Sequence, residues 1–164
     1  MSGGRIEVTA QSGLPAQETR AVLEALPKWF GRPASTEAYV EEAERLPCIA
    51  AREGPRLVGF ASLKPANVAT CEFAVMAVRP EHHRTGVGRR IVEAGFAWME
   101  EQGYRLGLVQ TVGAGAPSLE YAMTRQFYLA MGFMPLIELA ELFGPGTPAL
   151  LLVRPLGAKW RVGA

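Results

Sequence analysis

Cysteine is scarce in this chain of 164 residues, which holds only Cys48 and Cys71. Both lie in apolar, strand-like surroundings and read as buried, reduced thiols, which excludes a disulfide framework and a thiolate metal site. That usage suits a reducing compartment, so the expected location is the cytoplasm. No apolar run approaches the roughly 20 residues that a membrane-spanning helix needs. The first residues, MSGGRIEVTAQSG, lack the apolar centre of a secretory signal. Charge of one sign is missing too: 17 Lys and Arg stand against 16 Asp and Glu, a net +1. No basic stripe is present of the kind that grips nucleic acid. The only histidines are the adjacent His82 and His83. Neighbours on an extended loop seldom aim at one ion, and no third ligand accompanies them, so no metal is expected. Internal repeats and low-complexity segments are also absent.

With 49% hydrophobic residues, the chain can bury a sizeable core, and one domain over 1–164 is expected. It is organised around the stretch 71–102, CEFAVMAVRPEHHRTGVGRRIVEAGFAWMEEQ. Phe73, Val75, Met76 and Val78 make an apolar run of strand length, and Pro80, which cannot donate to a ladder, ends it. Val87, Ile91, Gly95, Trp98 and Gln102 then recur at helical spacing among Arg89, Arg90, Glu93, Glu100 and Glu101. Between strand and helix lie Gly86 and Gly88. Such a turn points several backbone N–H groups the same way at the positive end of a helix dipole, which makes an anion site. Glycine matters there because a side chain would hold a phosphate off the backbone.

The remaining chain reads in order as follows. Residues 5–10 alternate as a strand, and 16–30 carry Val22, Leu23, Leu26, Trp29 and Phe30 as a helix interrupted at Pro27. Ser35 or Thr36 caps a second helix through Tyr39, Val40, Ala43 and Leu46, ended by Pro47. Cys48–Arg52 and Arg56–Leu63 flank a Glu53-Gly54-Pro55 hairpin, and Pro65 and Asn67 turn the chain into the strand at 71–78. Beyond the central helix come a strand over Tyr104–Val112, a helix over Leu119–Met131 with Ser118 as N-cap and Gly132 as stop, and a strand over Phe133–Leu139. A loop at 140–148, a last strand over Pro148–Pro155 and an exposed or frayed tail, GAKWRVGA, complete it. This order suits an α/β sheet with antiparallel and parallel parts.

The string from Val78 to Ile91, V-x-P-E-x-x-x-x-G-x-G-x-x-I, resembles motif A of the GNAT N-acetyltransferase superfamily, [RQ]-x-x-G-x-[GA]. His83 stands where that motif has Arg or Gln, with Arg84 adjacent. LVGFASL, residues 57–63, resembles the second strand of the family's meander, and FYLAMGF, Phe127–Phe133, resembles its motif B, Y-x-x-x-G-F. The resemblance implies the GNAT fold: a mixed central sheet of about seven strands flanked by about four helices. It also implies acetyl-CoA as co-substrate, an amine as acceptor, and direct transfer in a ternary complex.

Acetyl transfer from a thioester to an amine makes four demands. The donor's phosphates need an anion site, the amine must lose a proton, the developing oxyanion needs a fixed donor, and the leaving thiolate benefits from an acid. The resemblance places the diphosphate on His83, Arg84, Thr85, Gly86, Val87, Gly88 and Arg89; Arg89, Arg90 and Arg125 are candidates for the outer phosphate, and each taken alone reads first as a solvated surface charge. A second strand-to-helix turn near Ala114–Ser118 is a lesser anion candidate. Glu72, a carboxylate inside an apolar strand, falls where some family members place their base. The amide of Met76 corresponds to the oxyanion donor, with Ala77 and Val78 pairing to the pantetheine arm. Tyr128 corresponds to the acid, since a phenol of pKa near ~10 can protonate a thiolate of similar basicity at little cost. The acceptor region of the family maps to Trp29, Phe30, Tyr39 and Phe143, and each of these aromatics also reads as ordinary core packing.

The resulting expectation is an acetyl-CoA-dependent N-acetyltransferase acting on a primary amine of a small molecule. Two alternatives stand beside it: a non-catalytic acyl-CoA-binding or regulatory module, and an acetyltransferase of peptide or protein amines. A nucleotide-binding domain is disfavoured, because no Lys-Ser/Thr follows the glycines and Ile91 occupies the third position of a G-x-G-x-x-G pattern. Partners are then acetyl-CoA and the amine, with no nucleic acid and no membrane. A homodimer is the generic expectation.

Overall fold

The computed structural model describes residues 4–157. The tail expected to be exposed or frayed lies, apart from Gly157, outside the described residues. The elements run β1 (Ile6–Gln11), α1 (Ala16–Glu24), α2 (Pro33–Arg45), β2 (Cys48–Glu53), β3 (Arg56–Pro65), β4 (Thr70–Val78), a 3-10 turn (Pro80–His82), α3 (Val87–Glu101), β5 (Leu106–Val112), α4 (Leu119–Ala130), β6 (Met134–Leu139) and β7 (Ala149–Pro155). The strands form one mixed seven-stranded sheet in the order β1-β2-β3-β4-β5-β7-β6. This is the α/β architecture expected from the sequence. The chain divides into two compact units, Met1–Lys64 with Phe73–Trp98, and Pro65–Glu72 with Met99–Ala164.

In the first unit one helix follows the sequence reading and the other departs from it at its start. α1 runs from Ala16 to Glu24 and ends just ahead of Pro27, the interruption that the sequence implies. Pro27 has no N–H for a helical bond, and its ring would crowd the carbonyl four residues back. The chain instead continues in turns, with Trp29 and Phe30 both donating to the Leu26 carbonyl. α2 starts at Pro33, ahead of the expected caps. Arg32 is the N-cap and Pro33 the first helical residue, where a fixed φ suits the helix and a missing N–H costs nothing. The Thr36 hydroxyl donates to the Phe30 carbonyl at 3.3 Å and so ties the helix to the preceding segment.

β1, β2 and β3 pair antiparallel, and the β2–β3 register shifts between Ala51 and Arg52. Alternation assigns the two faces of this part of the sheet. Phe60 packs with Val22, Leu23 and Leu26 around α1 and with Val40 and Ala43 of α2. Its neighbour Gly59 faces Ile91 of α3, where a Cβ would come within 3.0 Å of the Ile91 side chain. Helices α1 and α2 therefore cover one face, and α3 covers the other. Bidentate contacts from Arg52 to Glu18, at 2.7 and 3.0 Å, fasten β2 to α1, and the guanidinium holds the Glu18 carboxyl below its usual range. On the opposite face, α3 approaches β4 at Gly95, where a Cβ would sit 2.5 Å from the Phe73 ring.

In the second unit β5 pairs antiparallel with β7, and β7 with β6. β5 begins at Leu106, two residues later than the apolar pattern suggests. Arg105 and Leu106 both donate to the Ala69 carbonyl there. The Ser118 side chain caps α4 by accepting from the Tyr121 N–H, as its position before the helix implies. Gly132 follows α4 at φ +87°, and Phe133 donates back to the Tyr128 carbonyl at 3.1 Å.

The Gly95–Phe73 approach makes a direct test of how α3 is seated. Gly95→Ala is expected to destabilise the protein by about 1–3 kcal/mol through overpacking, read as a lowered midpoint in thermal or denaturant unfolding.

Candidate functional site

The glycine loop is built from the end of β4 outward. Arg79 pins the strand's exit, its N–H donating to the Val58 carbonyl at 2.8 Å and its Nε to the Leu57 carbonyl at 3.0 Å. Pro80 opens the 3-10 turn, in which His82 donates to the Arg79 carbonyl and His83 to the Pro80 carbonyl. The Thr85 hydroxyl closes onto the His82 carbonyl at 2.6 Å. Two residues then take left-handed backbone conformations, Arg84 at φ +59° and Gly86 at φ +87°. Left-handed backbone is uncommon for a residue with a side chain and free for glycine. The Arg90 N–H donates to the Gly86 carbonyl at 3.1 Å, opening the ladder of α3. Val87, Gly88 and Arg89 precede that bond, so their N–H groups have no intrahelical acceptor. Nothing lies within 4 Å of the point where a Cβ on Gly86 would stand. Unused main-chain donors at the positive end of a helix dipole suit a phosphate group.

β4 delivers this loop with an irregularity of its own. Phe73 packs edge-on against Phe96 and under Gly95, on the α3 face. Val75 and Ala77 belong to the cluster with α1 and α2, on the other face. Regular alternation would keep all three on one side, so the strand carries an extra residue around Ala74. Met76, half-buried, follows on the same strand. Ala77 and Val78 are buried. Nothing in CEFAVMAV announces the bulge, because the residues alternate on paper.

The arginines divide by what they touch. Arg90 Nη1 donates to the Ile6 carbonyl, and Arg125 Nη1, in the second unit, to the Val112 carbonyl. Both are engaged with backbone. Arg89 is exposed and stands 4.0 Å from Glu93 at i+4, an arrangement that commits little of its charge. Arg84 is exposed on the loop. The second turn weighed as an anion site, near Ala114–Ser118, meets a carboxylate: a Cβ on Gly113 would lie 2.8 Å from Glu138 Oε1, and one on Gly115 3.8 Å. That negative charge opposes a phosphate there.

Three of the four aromatics assigned to the acceptor side come together in the first unit. Phe30 and Tyr39 meet edge to face at 6.0 Å, and Trp29, Phe30 and Tyr39 all pack partly buried against the unit's core cluster. Trp29 also meets the His83 ring at 5.9 Å, a contact that residue spacing could not signal across 54 positions of chain. Phe143 belongs to the second unit, half-buried in the β6–β7 connection. His82 lies 3.8 Å from Glu53 of β2. Among the described residues no group of three or more His, Cys, Asp and Glu side chains could hold a metal ion.

The second unit contains both residues assigned to proton transfer. Glu72 is half-buried on β4. Tyr128 is buried on α4, edge-on to Phe127 at 5.4 Å and to Phe133 at 5.6 Å. Burial pushes its phenol well above the ordinary tyrosine range, so the hydroxyl stays protonated. Neither cysteine suits nucleophilic work. Cys48 Sγ donates to the Ala43 and Leu46 carbonyls, and burial pushes its pKa up to about 12. Burial and then the Glu72 charge push Cys71 to about 12 as well. Both remain thiols, and the thiolate is the reactive form.

The family model described as the acetyltransferase (GNAT) family matches residues 17–133. No curated protein sequence matches the chain. Among solved structures, a GNAT-family protein from Desulfovibrio desulfuricans superposes with a TM-score of 0.81 at 22% identity, covering 93% of this chain and 100% of that one. An aminoglycoside 6'-N-acetyltransferase complexed with coenzyme A gives a TM-score of 0.75 at 16% identity over 94% and 99% of the two chains. A GNAT family acetyltransferase from Elizabethkingia anophelis with acetyl-CoA bound gives 0.65 at 16% identity over 92% and 98%. No helix among the described residues is long and apolar enough to cross a membrane.

Both thiols are expected to resist an aromatic disulfide reagent at pH 8 in the folded protein and to react fully after unfolding in guanidinium. Fast release of one equivalent from the native protein would show a thiolate the structure does not provide.

Proposed function

The chain belongs to the acetyltransferase (GNAT) family, and from that premise we propose that it transfers an acetyl group from acetyl-CoA to a primary amine of a small molecule, directly and without an acetyl-enzyme. The observation that carries this reading is the loop: main-chain donors that the helix cannot use, at the head of α3, following left-handed turns at Arg84 and Gly86 with open space beside Gly86. Acetyl-CoA supplies an activated acyl group and a good leaving thiolate. The chain's residues supply the rest.

In this reading the N–H groups from Thr85 to Arg89 hold the diphosphate, with Arg84 and Arg89 adding charge. The Met76 N–H donates to the carbonyl oxygen as negative charge gathers on it, and Ala77 and Val78 align the pantetheine arm through main-chain bonds. Glu72 accepts the proton the amine must lose, directly or through a water. Tyr128 donates from its neutral hydroxyl to the departing sulfur; its raised pKa keeps the proton on the phenol until charge develops opposite it. Trp29, Phe30, Tyr39 and Phe143 contribute apolar surface on the acceptor side. Two buried thiols, each near 12, favour direct attack by the amine over a covalent intermediate on cysteine. The small-molecule acceptor draws support from the aminoglycoside 6'-N-acetyltransferase among the similar structures and from the chain's near-balanced charge, which offers no basic docking surface.

A panel of amines with acetyl-CoA, read by thiol release, tests the activity. Coenzyme A binding without turnover on any amine would instead fit a non-catalytic module. With a working acceptor, Glu72→Gln is expected to lower kcat/KM by about 10²–10⁴-fold and to flatten the acid limb of its pH profile. An unchanged value and profile would remove Glu72 from the mechanism. Tyr128→Phe is expected to reduce kcat about tenfold or more while sparing the KM for acetyl-CoA, and equal turnover would leave Tyr128 a packing residue.

A further inference from the structure

His83 occupies the motif position where a cation or amide is usual, yet its ring is turned to other work. Nε2 lies 2.6 Å from the Val78 carbonyl oxygen. A carbonyl can only accept, so Nε2 carries the hydrogen and this nitrogen points back at the end of β4. The ring also meets Trp29 edge to face, with planes at 88°. Trp29 sits on the segment between α1 and α2, packed against the core cluster and adjoining Phe30. One side chain thus joins three pieces of the first unit: the strand end, the glycine loop and the α1–α2 segment.

The loop needs such a clasp. It holds left-handed conformations at Arg84 and at Gly86, the second of which glycine leaves conformationally loose. Free to wander, its N–H groups would have to converge during binding, at an ordering cost of about 1–2 kcal/mol per residue fixed. A loop already fixed on the strand end avoids that cost at the moment of binding.

We propose that His83 is a positioning residue that clamps the donor loop to the Val78 carbonyl and to Trp29, and is not itself a phosphate ligand. This rests on the acetyl-CoA reading above and assigns His83 a different part in it. The phosphates are held by main chain and by the neighbouring arginines, and the histidine keeps the main chain in place. Trp29 works through His83, so the segment bearing the acceptor-side aromatics and the donor loop are ordered together.

Calorimetric titration of coenzyme A into His83→Ala, His83→Gln, His83→Lys, Trp29→Ala and the His83→Ala/Trp29→Ala double variant tests this. Melting temperatures check the fold of each. Loss of the clamp is expected to weaken coenzyme A binding about tenfold in His83→Ala, the scale of one lost hydrogen bond. Glutamine can donate an amide N–H to the Val78 carbonyl and is expected to restore most of the affinity. Lysine, which supplies charge in place of the planar donor, is not. The double variant should bind no more weakly than His83→Ala, because the two contacts act in series. With a working acceptor, the donor KM should rise in His83→Ala about as much as coenzyme A affinity falls, and should return toward the starting value in His83→Gln. Restoration by lysine, alone or alongside glutamine, overturns the proposal in favour of a phosphate ligand. So does an unchanged affinity in His83→Ala, or additive losses in the double variant. If His83→Ala does not fold, glutamine against lysine decides alone. Failure of the unaltered protein to bind coenzyme A overturns the functional reading, and this inference with it.

Discussion

The structure depends on a short run of main-chain N–H groups at the head of α3 that the helix cannot use. Every helix leaves such donors at its start, and most are capped by a side chain or exposed to bulk water. Here the chain before α3 takes left-handed turns at Arg84 and Gly86, and open space is left over Gly86. The positive end of the helix dipole lies in the same place. Such a site is worth little without an anion and a good deal with one, because each N–H then finds a charged acceptor.

Much of the first unit can be read as support for that geometry. Gly95 lets α3 lie close on β4 through Phe73, and Gly59 opens room for Ile91 of the same helix. Arg79 spends its guanidinium and its own N–H on carbonyls of β3, which fixes where the strand ends and the loop begins. The bulge around Ala74 turns Val75 and Ala77 toward α1 and α2 while Phe73 stays with α3. In the second unit, apolar packing around Tyr128 withholds water from its phenol and raises its pKa.

Local chemistry can be read from the sequence, and contact at a distance cannot. The element order, the glycine loop and the α4 cap at Ser118 were legible because each rests on local chemistry: period, proline, glycine, a capping hydroxyl. Helix ends were less so. The apolar spacing of Leu26, Trp29 and Phe30 suggests helix, and the same residues bury equally well from turns once Pro27 interrupts the ladder. Ser35 and Thr36 offer capping hydroxyls, but Pro33 starts the helix earlier by its fixed φ. What the sequence could not express was contact at a distance. The Trp29–His83 pair, the carboxylate of Glu138 over Gly113 and the engagement of Arg90 with Ile6 depend on how strands and helices stack. They decide which candidate arginines and which of two turns remain open to an anion.

Amide-resolved NMR during a coenzyme A titration is the sharpest test of the proposal that these main-chain donors bind the diphosphate. Saturable shifts of the Thr85, Gly86, Val87, Gly88 and Arg89 amide resonances are expected, with hydrogen-bonded amide protons moving downfield. Binding that leaves these five amides unmoved, or no binding at all, would contradict that proposal.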